Sequence, residues 1–164
     1  MARTGTFDSL EDILSKRRML FVSATAITTT NITTLAPIAY STSASLSLSA
    51  DDIDVSNLTD GSWQTHLQGK KQGELSVESL VSNVDDEGTL WNAWEQDSDL
   101  YFWYGYVDIT EDDAGVGTTV TAVKTLPYYC GKLKITSLDD SSDNGDVPKF
   151  SMSASTQGEV KNAL

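Results

Sequence analysis

Cysteine and histidine each occur once in the chain, as Cys130 and His66. A lone cysteine cannot form an intrachain disulfide, so the fold does not depend on an oxidising compartment. One histidine and one cysteine also cannot supply a usual zinc ligand set. No nucleophile-elbow pattern surrounds His66, and no histidine or acid lies beside Cys130. We therefore expect Cys130 to be a small core residue and His66 a polar residue at a strand end.

Positive charge and long apolar runs are scarce as well. Lys and Arg total 11 against 24 Asp and Glu, which gives a formal net charge of −13. A chain this acidic repels nucleic-acid phosphates and anionic membranes, so tight electrostatic binding to either is excluded. A surface that lets DNA pass without sticking remains compatible with the charge, and so does solubility alone. No apolar run approaches the roughly 20 residues of a membrane span, and the basic start at residues 16–18 is a poor imitation of a signal peptide.

The acids do not form a recognisable catalytic or metal site. Asp51-Asp52, Asp112-Asp113 and Asp139-Asp140 are neighbours in sequence, and neighbouring strand residues point to opposite faces. Residues 140–145 place oxygen side chains before a glycine, but Ser151 stands where a calcium loop needs a bidentate glutamate. We therefore expect no catalytic, cofactor-binding or metal-ligating residue, and no enzyme activity.

Alternating apolar and polar residues predict a mainly β fold. Ala44, Leu46 and Leu48 alternate with serines, and Leu75 and Val77 alternate with polar residues, which is the pattern of half-buried strands. Further strands are predicted at 100–107, 118–126, 131–138 and 149–155, with extended structure over 20–37. A helix is predicted over 85–94, with Leu90, Trp91 and Trp94 on one face. Residues 19–164 form one predicted domain, preceded by an N-terminal arm or short helix over 1–18.

The predicted strand at 100–107 carries aromatic residues at both odd and even positions, so both of its faces are aromatic. Such a strand is either covered on both sides or has one face committed to a partner. Tyrosine and tryptophan are typical of cores and of subunit contacts, and ring faces also stack on sugars. An exported β-sandwich adhesin or carbohydrate-binding module that uses residues 101–106 is therefore the alternative function.

Several short stretches follow one another in a characteristic order. They are the strand from Ile38, then Asp52-Ile53-Asp54-Val55-Ser56, Gly61-Ser62-Trp63, Leu67-Gln68-Gly69-Lys70 and Glu74-Leu75-Ser76-Val77, then the helix at Leu90–Trp94, and the closing stretches 131–137 and 150–158. In this order the chain resembles the major tail proteins, or tail tube proteins, of long-tailed bacteriophages. The resemblance covers about two thirds of the chain and includes no catalytic signature.

The resemblance implies a β-sandwich or barrel of two packed antiparallel sheets with one short flanking helix. It also implies hexameric rings that stack into a tube, with an acidic lumen through which DNA passes without specific binding. Other expected partners are the tail terminator, tape measure and distal tail proteins. The expected location is the virion, after assembly in the bacterial cytoplasm.

Two long polar connections, 51–71 and 111–117, together with the N-terminal arm, are the predicted ring-to-ring contacts. The candidate assembly residues are Asp51, Asp52, Asp54, Trp63, Lys70, Lys71, Glu111, Asp112 and Asp113.

Overall fold

The computed structural model describes residues 17–32, 41–56, 63–80, 84–111, 113, 117–143, 145 and 148–163. These residues form seven strands and one helix. The strands are β1 (Arg17–Ser23), β2 (Ser41–Asp54), β3 (His66–Leu80), β4 (Leu100–Glu111), β5 (Gly117–Ala122), β6 (Tyr128–Ser141) and β7 (Lys149–Ala163), and the helix is α1 (Val84–Glu95). The predicted class, mainly β with one flanking helix, is confirmed.

All seven strands belong to one antiparallel sheet with the order β1-β4-β6-β7-β3-β2, and β5 also pairs with β4. Val107 pairs with Arg17 of β1 and with Ala122 of β5, so these two strands lie on opposite edges of β4. Trp103 pairs with Phe21 of β1 and Cys130 of β6 in the same way. Strands β5 and β6 therefore follow one another along a single edge of β4.

The sheet curls so that its two ends approach each other. The Tyr104 hydroxyl on β4 donates a hydrogen bond of 3.1 Å to the Ala44 carbonyl on β2. The curled sheet and α1 enclose the main core, which includes Leu20, Leu75, Val77, Leu90, Phe102, Leu133, Ile135 and Met152. Apolar side chains at alternate strand positions supply this core, as period-two patterning requires.

Strand β4 is covered on both faces. Phe102 and Tyr104 belong to the main core, whereas Trp103 and Val107 belong to a second cluster on the other face. Phe21 packs edge-on against Trp103, with 5.1 Å between ring centroids. Of the two situations predicted for the aromatic strand, coverage on both sides is the one observed.

Helix α1 confirms the predicted helix but not its predicted face. Leu90 and Ala93 are buried in the main core, whereas Trp91 and Trp94 are 52% and 45% exposed. Successive helical residues are about 100° apart, so Leu90 and Trp91 cannot both point at the core. The helix ends in a Schellman-type turn, in which the Ser98 amide donates to the Ala93 carbonyl at 2.9 Å.

The segment 51–71, predicted as a long connection, is mostly strand, because β2 continues to Asp54 and β3 begins at His66. Strand β1 begins at Arg17, within the segment predicted as an N-terminal arm. Residues 1–16 lie outside the described residues, so the arm itself stays a prediction. Within the part of the chain that the structure describes, no helix is long and apolar enough to cross a membrane.

Candidate assembly surfaces

A two-stranded ribbon separates from the rest of the sheet. Strand β3 pairs with β7 only from Glu74 to Leu80, but it pairs with β2 as far as His66. Residues 48–56 and 63–73, called the ribbon here, therefore lie beyond the last strand pair that β3 makes with β7. At about 3.4 Å per residue, the eight residues from His66 to Gly73 span roughly 27 Å.

The ribbon exposes more large apolar side chains than any other described part of the molecule. They are Leu48, Ile53, Val55, Trp63 and Leu67. Trp63 is 84% exposed and Leu67 is 58% exposed. Isolated exposed apolar residues are common, but a group of five on one projecting element is typical of an interaction surface.

A β-bulge decides which side of the ribbon is apolar. Gly69 and Lys70 of β3 together lie opposite Asp51 of β2, because the register shifts between Ala50 and Asp52. The extra residue lets Leu67 pair with Ile53. By strand alternation, this pair and Val55 lie on the face opposite to Leu48. We call Ile53, Val55 and Leu67 the tip patch.

The other side of the ribbon carries Leu48 at its base but is otherwise polar, and it holds its own contacts. His66 Nδ1 lies 3.0 Å from Asp52 Oδ1. The side chain and amide of Ser56 hydrogen-bond Asp54 and hold the pKa of that carboxyl below its ordinary value of 3.8. The amide of Ser56 is 2.8 Å from Asp54 Oδ1. These contacts fix the chain where it leaves β2.

The candidate assembly residues fall into two groups. Asp51, Asp52, Asp54, Trp63, Lys70 and Lys71 all lie exposed on the ribbon. Glu111 ends β4 and Asp113 is exposed just beyond it, while Asp112 lies outside the described residues. Leu100 pairs with Leu133, and Leu133 with Thr156, so β4 runs from the middle of the sheet towards the end from which the ribbon projects. We call the end of the sheet at which the ribbon lies the ribbon end. The opposite end, where β3 leads into α1, is called the helix end.

Four adjacent strands present a polar surface on the side opposite the main core. Its side chains, called the hydroxyl face, are Ser43, Ser45, Ser47, Glu74, Ser76, Glu78, Lys134, Thr136, Ser137, Asp139, Ser151, Ser153 and Ser155. The hydroxyl oxygens of Ser45 and Ser76 are 2.7 Å apart across the β2–β3 pair. Three carboxylates and one ammonium are spread among small hydroxyls, and that ammonium, on Lys134, is 3.0 Å from Asp97 Oδ1. Lys149 lies at the end of this face.

The same four strands have an open edge on each side. Strand β2 pairs only with β3, and β6 from Lys134 to Ser141 pairs only with β7, among the described residues. Unpaired strand edges are templates for pairing with another chain. The Ala44 carbonyl is an exception, since Tyr104 already donates to it.

The described residues contain no cluster of three or more His, Cys, Asp or Glu side chains that could hold a metal ion. Cys130 is half-buried, and burial raises the pKa of its thiol above 9.0, with Lys161 acting weakly in the opposite direction. Such a thiol holds little thiolate at neutral pH and is a weak nucleophile. Trp103, needed by a sugar-stacking platform, is 3% exposed. Its ring is therefore inaccessible to a ligand.

Sequence reasoning missed two features of these surfaces. The serine alternation in β2 and β7 is visible in the sequence, but nothing in it shows that the two strands flank β3. The exposure of Trp91 and Trp94 is the second, because the sequence pattern predicts them on one helical face with the buried Leu90. Ala93 is the sequence signal that identifies the buried face of the helix. With Leu90 it forms an apolar i, i+3 pair, and the face that carries this pair excludes Trp91 and Trp94.

Comparison with known proteins gives matches in fold but none in sequence: no protein-family model matches the chain, and no curated protein does. A chain from the virion of a native gene transfer agent (GTA) particle aligns with a TM-score of 0.62 and 16% identity, over 88% of this chain and 95% of that chain. A chain from the tail of an empty GTA particle, refined with C6 symmetry, gives 0.63 and 17%, over 88% and 96%. The SPP1 tail tube gives 0.59 and 12%, over 92% and 77%.

These matches extend over nearly the whole chain, so they concern the complete β domain rather than a shared motif. The chain has the fold of tail tube proteins. The resemblance to this class that the sequence suggests is confirmed at the level of the fold.

Proposed function

We propose that the chain is a structural, non-enzymatic subunit of a phage tail tube, which assembles into hexameric rings that stack around a lumen. The observation that carries this proposal is the four-stranded β2-β3-β7-β6 surface, with a polar face and an open edge on each side. The likeness to the C6-symmetric GTA tail and to the SPP1 tail tube supports it.

The two open edges are complementary in direction. Strands β2 and β6 run in opposite directions, because three antiparallel pairings separate them in the sheet. Under a rotation about the ring axis, β2 of one copy therefore meets β6 of its neighbour as an antiparallel pair. With six copies, the four strands of each copy give 24 strands. At about 4.8 Å between strands, such a closed wall is about 37 Å across before strand tilt widens it.

The hydroxyl face then lines the lumen. Glu74, Glu78 and Asp139 repel DNA phosphates, while the serine hydroxyls keep the wall wetted and smooth. The main core and α1 lie on the outer side of the wall. This arrangement suits a channel through which DNA passes without being bound.

Stacking of rings belongs to the ribbon end. The ribbon, the connection 111–117 and the N-terminal arm are the proposed contacts between rings, and Glu111, where this connection begins, lies at the same end of the sheet as the ribbon. The tail terminator, tape measure and distal tail proteins are the remaining proposed partners. The proposed location is the virion, after assembly in the host cytoplasm.

Negative-stain microscopy of the purified protein over a range of concentrations tests the proposal. We expect rings with an open lumen, and tubes at high concentration. Ile53→Glu with Leu67→Glu should leave rings that do not form tubes, because charge in the tip patch opposes burial. Ser49→Glu with Gln72→Glu adds the same two charges to the same two strands outside the tip patch; this double variant is the matched control and should form tubes. A wild-type protein that stays monomeric at the highest concentration contradicts the proposal.

A further inference from the structure

The large exposed apolar side chains of the described residues form two groups. Five lie on the ribbon, and the other two are Trp91 and Trp94 on α1. We propose that the Trp91–Trp94 pair is the docking site for the tip patch of a second copy of this chain in the adjacent ring. The inference rests on the proposed tube and names the surface that receives the ribbon.

The tryptophan pair is a formed surface that the fold does not need. The two rings stand side by side, with 5.2 Å between centroids and 44° between planes. Leu90 and Ala93 anchor the helix in the core without them. Tryptophan is the residue most often found at the energetic centre of interfaces, where it packs against apolar partners.

The two groups lie on different parts of the subunit. The ribbon lies at the ribbon end, whereas α1 starts at the helix end and runs back towards the middle of the sheet, where Asp97, just after the helix, contacts Lys134 of β6. A contact between them is therefore heterologous: one copy uses its ribbon and the next copy uses its helix. Their faces fit as well, because α1 covers the core side of the sheet and the tip patch lies on the opposite side of the ribbon. A ribbon lying outside the next copy thus turns its tip patch inwards, towards that copy's helix.

Charge is also complementary across this contact. Residues 84–99 contain six acids and no lysine or arginine. Glu95 follows Trp94 directly and is exposed. Lys70 lies at the bulge, on the same side of the ribbon as Ile53 and Leu67. A Lys70–Glu95 attraction at the rim steers the ribbon onto the helix.

The contact is small, which has a consequence for assembly. Each tryptophan side chain buries about 150–250 Å² when fully covered, so the half-exposed pair offers far less than the about 800 Å² per partner of a standard interface. A single ribbon therefore cannot hold two monomers together. Six such contacts acting between two rings bind by avidity. Tubes are therefore expected to grow from rings rather than from monomers.

Substitutions on the helix test the proposal, with ring and tube formation followed separately by microscopy and sedimentation. Trp94→Ala should leave rings intact and raise the critical concentration for tubes at least about 30-fold, the size of effect expected for a hot-spot residue. Asn92→Ala, exposed on the same helix, is the control and should change nothing. Lys70→Glu should weaken tube formation, and Glu95→Lys added to it should restore part of the loss.

Cross-linking identifies the partner surface directly. In a Cys130→Ser background, copies carrying Leu67→Cys are mixed with copies carrying Trp94→Cys, and we expect a disulfide between the two under tube-forming conditions. Normal tubes from Trp91→Ala with Trp94→Ala would overturn the inference while leaving the proposed function intact. Preferential linkage of Trp94→Cys to Leu48→Cys within a ring would overturn it too. Wild-type protein that forms neither rings nor tubes overturns the proposed function itself.

Discussion

Tyr128 belongs to the second cluster and Cys130 packs against it, so both ionisable groups are partly removed from water. Burial raises the pKa of Tyr128 above its ordinary value of 10.0, and the nearby Cys130 thiolate raises it further. Burial likewise raises the pKa of Cys130 above 9.0. The folded protein thus holds these two protons more tightly than the unfolded chain does.

The raised pKa values of Tyr128 and Cys130 make the folded protein less stable at alkaline pH. Stability from these two groups is complete below about pH 9, and it is lost as the pH rises through their folded-state pKa values. We expect the free energy of unfolding to fall above pH 9 in denaturant titrations. The fall should be shallower in Cys130→Ser and in Tyr128→Phe. An unchanged slope in both variants would contradict this account.

Part of this residue-level detail was predictable from the sequence. The lack of an acid or histidine beside Cys130 already argued against a nucleophile, and its half-buried place in an aromatic cluster agrees with a packing role. The partners of His66 were not predictable. Its contact with Asp52 depends on the diagonal neighbour across β2 and β3, and so on a register that includes a bulge.

Strand β4 has no spare room on the side of the second cluster. A Cβ atom added at Gly105 would lie 2.7 Å from the Tyr128 Cβ and 2.8 Å from the Trp103 ring. By contrast, a Cβ at Gly88 in α1 meets no atom within 4 Å. The packing of β4 therefore requires glycine at position 105, whereas α1 has room for a side chain at position 88.

Alanine at these two positions should act in opposite directions. Gly105→Ala should destabilise the protein by about 1–3 kcal/mol through overpacking against rigid groups. Gly88→Ala should stabilise it by about 0.5–1 kcal/mol, because glycine is a poor helix former. Urea denaturation measures both. If Gly105→Ala were as stable as the wild type, the second cluster would have to be looser than the structure shows.

Element types were largely predictable, but element lengths and partners were not. Period-two alternation marked β2, β3, β6 and β7 because each has one buried face. The ribbon was not predicted as strand, because its charged and glycine residues at 69–71 conceal the β2–β3 pairing that continues after β3 separates from β7. The bulge cannot be read from the sequence, because a single inserted residue leaves the local composition unchanged.

At the scale of the molecule, the hydroxyl face combines residues far apart in the chain. Ser45 and Ser76 meet across the β2–β3 pair, and Ser153 joins them only because β7 inserts beside β3. Strand order is a property of the complete sheet, so the sequence could indicate a wet serine strand but not a four-stranded wall. The expectation that such walls join into a tube came from the resemblance to tail tube proteins.

Charge reversal on this wall tests its role as a lumen. Glu74→Lys with Glu78→Lys should give assembled protein that binds duplex DNA, with an affinity that falls steeply as salt rises. Asp99→Lys with Asp108→Lys makes the same change in net charge at exposed positions away from the wall and is the control. Binding is measured by fluorescence anisotropy on the assembled protein. Equal DNA binding by the two double variants would show that net charge, rather than the wall, decides the outcome.

The proposed contact between the ribbon of one copy and the tryptophan pair of the next has a consequence for tube length. A contact that joins two different surfaces of successive copies is never used up, because every added ring presents a new unfilled surface. Growth by such a rule has a direction but no stopping point. The subunit alone therefore does not set the length of such a tube. A tube of defined length requires other molecules that fix its length and close its end.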